Sequence, residues 1–532
     1  MQPETITYIN GRVRTMDPER PQASGFRVSG GRISAVAADE AEARELRTGA
    51  GAVVDLQGAT VIPGLIDAHT HVEAAALADY YWLDAREDPL EALLAKVESE
   101  AAKAATGWIV VQATPRQEAP TLAQLDAAAP GRPVVVRVTA HLQILNSQAL
   151  QASGLAENYT TPPGVRVVRD EHGRATGPVE EGYHLLPVPW PDAESTADFL
   201  EREIRERFLP FGVTSIYEIP YSSQGMRGFQ LLQSQGRLLP RISLNPTVAP
   251  GLQPLVDSVD AWQRFGLMSG FGNDRLWLGG VKFFLDGDGS AAYKVTRDLD
   301  HPRMWGVPTH NFPELADALT LALRHGVQPW IHALGVHAQY LAIDAVEEAV
   351  RRVPGSSVRP RIEHVFCHWS DQQLFERFED SGILAVPTAA FLKFHSEDFE
   401  HTYRPASAFP YRTLIERGHR PPGNSDTAGT QPRAANPWWG IAAMVHRINN
   451  AGERVEPMSE AVTVADGVRT YTEFSAYAGR METRIGSLTP GKYADFAVLN
   501  QDPFGGELEV IESTRSVASF VAGEQIWGEE LS

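Results

Sequence analysis

At 532 residues the chain is too long for one ordinary domain, and its 43% hydrophobic and 21% charged residues are the composition of globular material with ample core. A net charge of −20 argues against a nucleic-acid or anionic-membrane partner, and no apolar run approaches the roughly 20 residues that span a bilayer. The single cysteine, Cys367, excludes an intrachain disulfide and fits a cytoplasmic setting, and the start, MQPETITYIN, lacks the basic-then-apolar pattern of a signal peptide.

Roughly the first 60 residues read as short strands: TITYINGRVRTM, FRVSGGRISAVA and AVVDL. Asn10-Gly11 and Gly30-Gly31 are compact turn signals between extended runs, as in hairpins. The C-terminal stretch reads the same way, with strand ADFAVLN and a hairpin around Ala522-Gly523. All-β material at both ends predicts one small β-sandwich domain built from residues 1–60 and 485–532.

VIPGLIDAHTH follows, an apolar strand ending in His69-Thr70-His71. Side chains alternate with period two, so the two imidazoles project from one face and can hold one metal ion. From about 72 to 195 the pattern loses regularity: a helical run (PLEALLAKVESEAAKAA), two strand-like runs (WIVVQAT, PVVVRVT) and loops rich in Pro and Gly. This predicts an inserted subdomain, which at such length often covers a binding site.

From about 196 onward helices alternate with strands: TSIYEI, RISLNPTV, LWLGGVKFFLDG, QPWIHALG, RPRIEHVF, ILAVPTA and finally HRPPGNSD. With the His69 strand that makes about eight, most simply a (β/α)₈ TIM-like barrel over residues 61–484. A doubly wound sheet is the alternative, but no G-x-G-x-x-G turn supports it. Buried parallel strands should be nearly all apolar, so Lys282, His332, His364 and Asp426 at their carboxyl ends need explaining. Each alone is better read as a paired, hydrogen-bonded or turn-forming residue. Together with His69 and His71 they suit zinc or a similar divalent ion at the barrel mouth.

PGLIDAHTH, HLQILNSQAL, GGVKFFLDG, IHALG, RIEHV, NSD and GSLTPGKYADFAVLNQDP resemble the amidohydrolase superfamily, specifically its linear-amide branch, amidohydrolase family 3. The resemblance implies two divalent metal ions, most simply zinc. His69 and His71 would hold the first and His332 and His364 the second, with Lys282 bridging them as a carboxylated lysine. An ammonium has no lone pair and cannot ligate a cation; a carbamate offers two oxygens. Asp426 would complete the first metal's ligands and act as catalytic acid/base. The implied reaction is attack of metal-activated hydroxide on a carbonyl, cleaving an acyclic C–N bond in an amide, formamide or carbamate.

His141 and Asn146 match a family segment near the mouth and are candidates for substrate contact or for structural hydrogen bonding. Tyr80, Tyr81, Trp82 and Phe394 are candidate linings of an apolar pocket or packing residues. Three places depart from the family pattern: Val336-His337 after IHALG, the NSDTAG context of Asp426, and Pro421-Pro422 in the eighth strand. A mononuclear deaminase or cyclic-amide hydrolase on the same fold, and a non-catalytic metal-binding regulatory protein, are the rival expectations. The expected partner is a small amide-like substrate, and a homo-oligomer is compatible with the sequence.

Overall fold

The computed structural model describes residues 5–48, 51–115, 117–156, 160–248, 255–287, 308–367, 372–394 and 409–531. At its centre lie two four-stranded parallel sheets. One orders as Leu276–Leu278, Arg241–Leu244, Val213–Glu218 and Leu65–Thr70; the other as Gly280–Phe284, Gln328–His332, Arg361–Glu363 and Leu384–Val386. These strands are buried along almost their whole length, as parallel strands covered on both faces must be. Leu276–Leu278 and Gly280–Phe284 are successive pieces of one run, broken at Gly279. A Cβ there would collide with Ser243 Oγ and Asn245 Oδ1, so only glycine lets the run pass so close. A bridge between Thr247 and Lys282 carries the pairing past the break.

Helices return the chain between strands, and their ends follow from local chemistry. Phe312–Arg324 starts at Asn311, whose side chain accepts from Glu314 N, with a proline in the first turn. It buries Leu315, Leu319 and Leu323 at helical spacing. No helix among the described residues is long and apolar enough to cross a membrane.

The stretch HRPPGNSD forms no eighth strand, contrary to the expectation from alternation. Pro421 and Pro422 bring no backbone N–H to a ladder. From Gly423 on, the chain instead bonds individually to the first strand. Ala68 N donates to Gly423 O at 3.1 Å, Asp426 N to His69 O at 2.9 Å and His71 N to Thr427 O at 2.9 Å.

The termini supply two more sheets. One orders as Glu524–Gly528, Ser516–Val521, Phe496–Leu499, Thr60–Pro63, Arg12–Arg14 and Gln22–Ala23; the other as Arg32–Ala37, Gly25–Ser29, Thr5–Ile9 and Ala52–Asp55. Tyr8 and Phe26 of the smaller sheet pack on Phe496 and Phe520 of the larger, with ring centroids 5.1 Å apart for both Tyr8–Phe496 and Phe26–Phe496. Gly30-Gly31 and Ala522-Gly523 turn hairpins. Asn10-Gly11 does not: Thr5–Ile9 and Arg12–Arg14 lie in different sheets, and Asn10, at φ 55°, turns the chain from one to the other.

Between the first two central strands the chain builds a six-stranded mixed sheet with helices Leu90–Lys103 and Leu122–Ala128. The two strand-like runs of the sequence form its parallel pair, Ile109–Gln112 with Val134–Arg137. Val97, Ile109, Leu125 and Val134 give it a core of its own.

Candidate metal centre

Strand Leu65–Thr70 carries His69, fully buried, and is followed directly by His71, 4% exposed. Period-two alternation turns both rings the same way, and both reach one atom. His69 Nε2 lies 3.3 Å and His71 Nε2 3.4 Å from Asp426 Oδ1. His364 Nε2 approaches Asp426 Oδ2 at 3.8 Å. One ligand atom from each of His69, His364 and Asp426 falls within 4.8 Å of the other two. Lys282 Nζ lies 3.3 Å from His69 Nε2. His332 flanks this group, its ring 4.8 Å from that of His364. His364 and Asp426 both have positive φ, 63° and 49°, so each side chain is aimed by a backbone conformation uncommon outside glycine.

Residues behind the rings fix which nitrogen faces inward. His69 Nδ1 donates to Glu363 Oε2 at 2.6 Å, and Arg361 holds that carboxylate from the other side at 2.8 Å. His71 Nδ1 donates to the Ile219 carbonyl at 3.0 Å. His364 Nδ1 is bonded to the Thr388 hydroxyl at 3.0 Å. A neutral imidazole that donates through Nδ1 presents a lone pair at Nε2.

Electrostatics keep His69, His332 and His364 neutral. Burial, with the nearby Lys282 charge, lowers His69 well below the ordinary histidine range. Burial and neighbouring histidines do the same to His332 and His364. Burial lowers Lys282 to about 8, against the pull of Glu363 and Asp426. Burial opposes ionisation of Asp426, yet His69, His71 and Lys282 hold its carboxyl down to about 2.

The donor set fits a cation. Two imidazole lone pairs and a carboxylate oxygen that converge without a proton between them repel one another unless a positive charge lies among them. His332 Nε2 is buried and makes no hydrogen bond, although Asp286 Oδ1 stands 3.6 Å away.

The remaining sequence candidates separate. His141 stands at the centre's edge, its ring 5.3 Å from that of His332 and its Nδ1 2.9 Å from Glu181 Oε1. Asn146 does not reach the centre. Its Oδ1 accepts from Val134 N and Ala149 N, both at 2.9 Å, and its Nδ2 donates to Arg132 O, which spends the side chain on capping helix Ser147–Ala152. Tyr80 donates to Glu206 Oε2 and Tyr81 is 47% exposed beside Phe199, so both belong to helix packing away from the centre. Trp82 is buried one layer back, against Arg137 and Trp190. The Phe394 side chain lies outside the described residues.

Sequence reasoning missed Glu363, Thr388, Ile219 and Tyr221, whose ring stacks on His71 at 4.8 Å. The first signal available was Glu363, a buried acid one residue before a candidate ligand. It missed also a reciprocal pair. Glu218 accepts from Val72 N and Glu73 N, capping helix Val72–Tyr80, while Glu73 accepts from Tyr221 N and Ser222 N at the start of helix Ser223–Ser234. Two carboxylates thus hold the chain on both sides of His71.

Comparison with known proteins adds lineage to this geometry. Residues 52–527 match the sequence profile of the amidohydrolase family. N-substituted formamide deformylase of Arthrobacter pascens is 29% identical, with 96% of this chain and 96% of the relative aligned. The YtcJ protein of Bacillus subtilis (strain 168) is 28% identical over 87% of this chain and 89% of its own length. The crystal structure of an uncharacterized metal-dependent hydrolase from Pyrococcus horikoshii OT3 superposes with a TM-score of 0.74 over 95% of this chain and 99% of that one. At 21% identity that likeness is one of fold.

Proposed function

The chain belongs to the amidohydrolase family, and on that premise we propose that it is a metal-dependent hydrolase of an acyclic C–N bond. The substrate class is an amide, formamide or carbamate, and the products are an acid and an amine. The observation that carries this reading is the convergence of His69 and His71 Nε2 on Asp426 Oδ1 beside Lys282 and His364.

The architecture belongs to the same proposal. Gly423–Thr427, bonded to the first strand and near the Leu384–Val386 strand through Asn424 Nδ2 and Pro387 O, would close the two parallel sheets into a (β/α)₈ barrel. Residues 1–60 and 485–532 would form a β-sandwich, and about 72–195 an inserted subdomain.

His69, His71 and Asp426 would hold one divalent cation, and His332 and His364 a second, with zinc suited to both sets. Lys282 would join the two. Burial lowers its ammonium to about 8 and so brings the neutral amine within reach near neutral pH; that amine adds carbon dioxide and releases a proton to become an anionic carbamate with two oxygens. Bound cations supply polarisation of the carbonyl and a water acidified towards about pH 7. The protein's own groups then move protons. Asp426, ionised and aimed by the 423–427 segment, takes the proton from attacking water and delivers it to the departing nitrogen. Glu363, Ile219 and Thr388 keep the imidazoles oriented throughout.

The compact grouping of His69, His364 and Asp426 favours a second reading, a one-cation site of the deaminase or cyclic-amidase kind. Metal analysis of purified protein, with a screen of N-formyl amines, anilides, carbamates and N-acyl amino acids in the presence and absence of chelator, decides. Two equivalents and chelator-sensitive amide hydrolysis are expected. One equivalent selects the second reading, and none a non-catalytic protein.

A further inference from the structure

A cavity of about 200 Å³ adjoins the centre and is walled by both the inserted sheet and the central strands. Tyr221, stacked on His71, and His141, beside His332, form its inner edge. Leu186, Val188 and Trp190 supply apolar wall. Arg137, at the end of strand Val134–Arg137, also lines it, although its side chain is only 1% exposed.

Arg137 differs from the other fully buried arginines. Arg241 is paired with Asp495 at 2.6 Å and Arg361 with Glu363 at 2.8 Å. Arg447 donates to the carbonyls of Val455 and Phe409, both at 3.0 Å. Arg137 donates through Nη1 to one neutral acceptor, Gln112 Oε1, at 3.0 Å, and its Nε is buried with no hydrogen-bond partner. Among the described residues no carboxylate pairs with it. Glu181, the acid of this cavity, is engaged by His141 Nδ1 at 2.9 Å. The Trp82 and Tyr183 rings hold the guanidinium, at 4.4 and 4.9 Å from Cζ, and fix its plane. Aromatic faces orient a guanidinium but do not satisfy its N–H donors. A buried, preorganised and underpaired guanidinium at a cavity wall is complementary to an anion, above all to a carboxylate that can take two N–H bonds.

We propose that Arg137 receives a carboxylate of the substrate, so that the bond cleaved at the neighbouring centre belongs to an N-acylated amino acid or a similar anionic amide with an apolar side group. The proposal rests on the hydrolase reading and narrows it. The apolar wall takes the side group, Arg137 the carboxylate, and the scissile carbonyl lies towards His332 and His364.

The test compares N-formylphenylalanine, as both enantiomers, with N-formylphenethylamine, which lacks only the carboxylate. Affinity is measured by calorimetry on the metal-containing protein, and turnover in parallel. The wild-type protein is expected to prefer one carboxylate enantiomer by roughly tenfold or more. Arg137→Gln brings the ratio close to one, and Arg137→Lys, which keeps the charge without the fork, retains part of it. Equal affinity in the wild type, or a preference that survives in Arg137→Gln, overturns the proposal. Should Arg137→Gln fail to fold, the wild-type ratio and the Arg137→Lys variant decide. Carboxylate preference without hydrolysis of any probe leaves the anion site standing and removes the hydrolase reading; hydrolysis of all probes at equal efficiency does the reverse.

Discussion

Glu363 precedes His364 in the chain, yet its carboxylate serves His69, with Oε2 2.6 Å from Nδ1. Arg361, two residues back on the same strand, braces that carboxylate and also donates to Ala68 O at 3.0 Å, while its guanidinium lies 3.4 Å over the Trp330 ring. The triad ties the first central strand to Arg361–Glu363 across the interior. Its members are all fully buried, so removing one charge strands another. In Glu363→Gln the His69 ring keeps a neighbour but loses its anionic acceptor. Metal affinity, measured by competition with a chromogenic chelator, should fall about 10- to 100-fold. Unchanged affinity would mean that His69 does not ligate.

The Asp426 carboxylate is faced by Nε2 of His69, His71 and His364, and the Lys282 charge nearby helps to hold it ionised, which is the setting for a proton carrier. Asp426→Asn is expected to lower turnover on the best substrate by about 10²- to 10⁴-fold. Metal analysis of the variant belongs beside the kinetics, because the residue is also proposed as a ligand. Full turnover would remove the acid/base role.

Asn146 illustrates how far the sequence could be read. The resemblance made it a candidate for substrate contact, but its three hydrogen bonds go to the backbone of Val134, Ala149 and Arg132. Asn146→Ala should destabilise the protein by about 1–3 kcal/mol in urea unfolding, as an unsatisfied buried cap does, with little change in KM. A raised KM at unaltered stability would return it to the substrate site.

The strand-end candidates were legible because alternation is local. His69 and His71 follow from period two, and Lys282, His332 and His364 from polar residues interrupting apolar runs. What positions them was not legible. Glu363 serving His69, the Ile219 carbonyl serving His71 and the exchange of caps between Glu73 and Glu218 are contacts between segments far apart in sequence. Pro421-Pro422 signalled trouble for an eighth strand, and the structure shows its form: single hydrogen bonds that leave Asp426 at positive φ. Asn10-Gly11 has turn chemistry in either setting, and only the partners of its flanking strands tell a hairpin from a crossing between sheets.

A pH effect is expected away from the centre. Burial, reinforced by the Asp79 carboxylate, pushes the Glu203 carboxyl above its ordinary value of 4.5. The folded chain therefore keeps a proton that the unfolded chain has released. The stability it contributes is complete below the ordinary value and is lost as pH rises through the raised one. Glu203→Gln escapes that loss. In urea unfolding the variant should gain on the wild type by about 1–2 kcal/mol between roughly pH 5 and pH 8. A constant difference across that interval would contradict the assignment.

Anomalous diffraction at the zinc edge, on crystals grown with zinc, tests the central claim most directly. The expected result is a peak at about 2.0–2.2 Å from Nε2 of His69 and of His71 and from an Asp426 oxygen, with a second at His332 and His364 and density bridging from Lys282. Crystals that carry zinc elsewhere but none between these side chains would contradict the account.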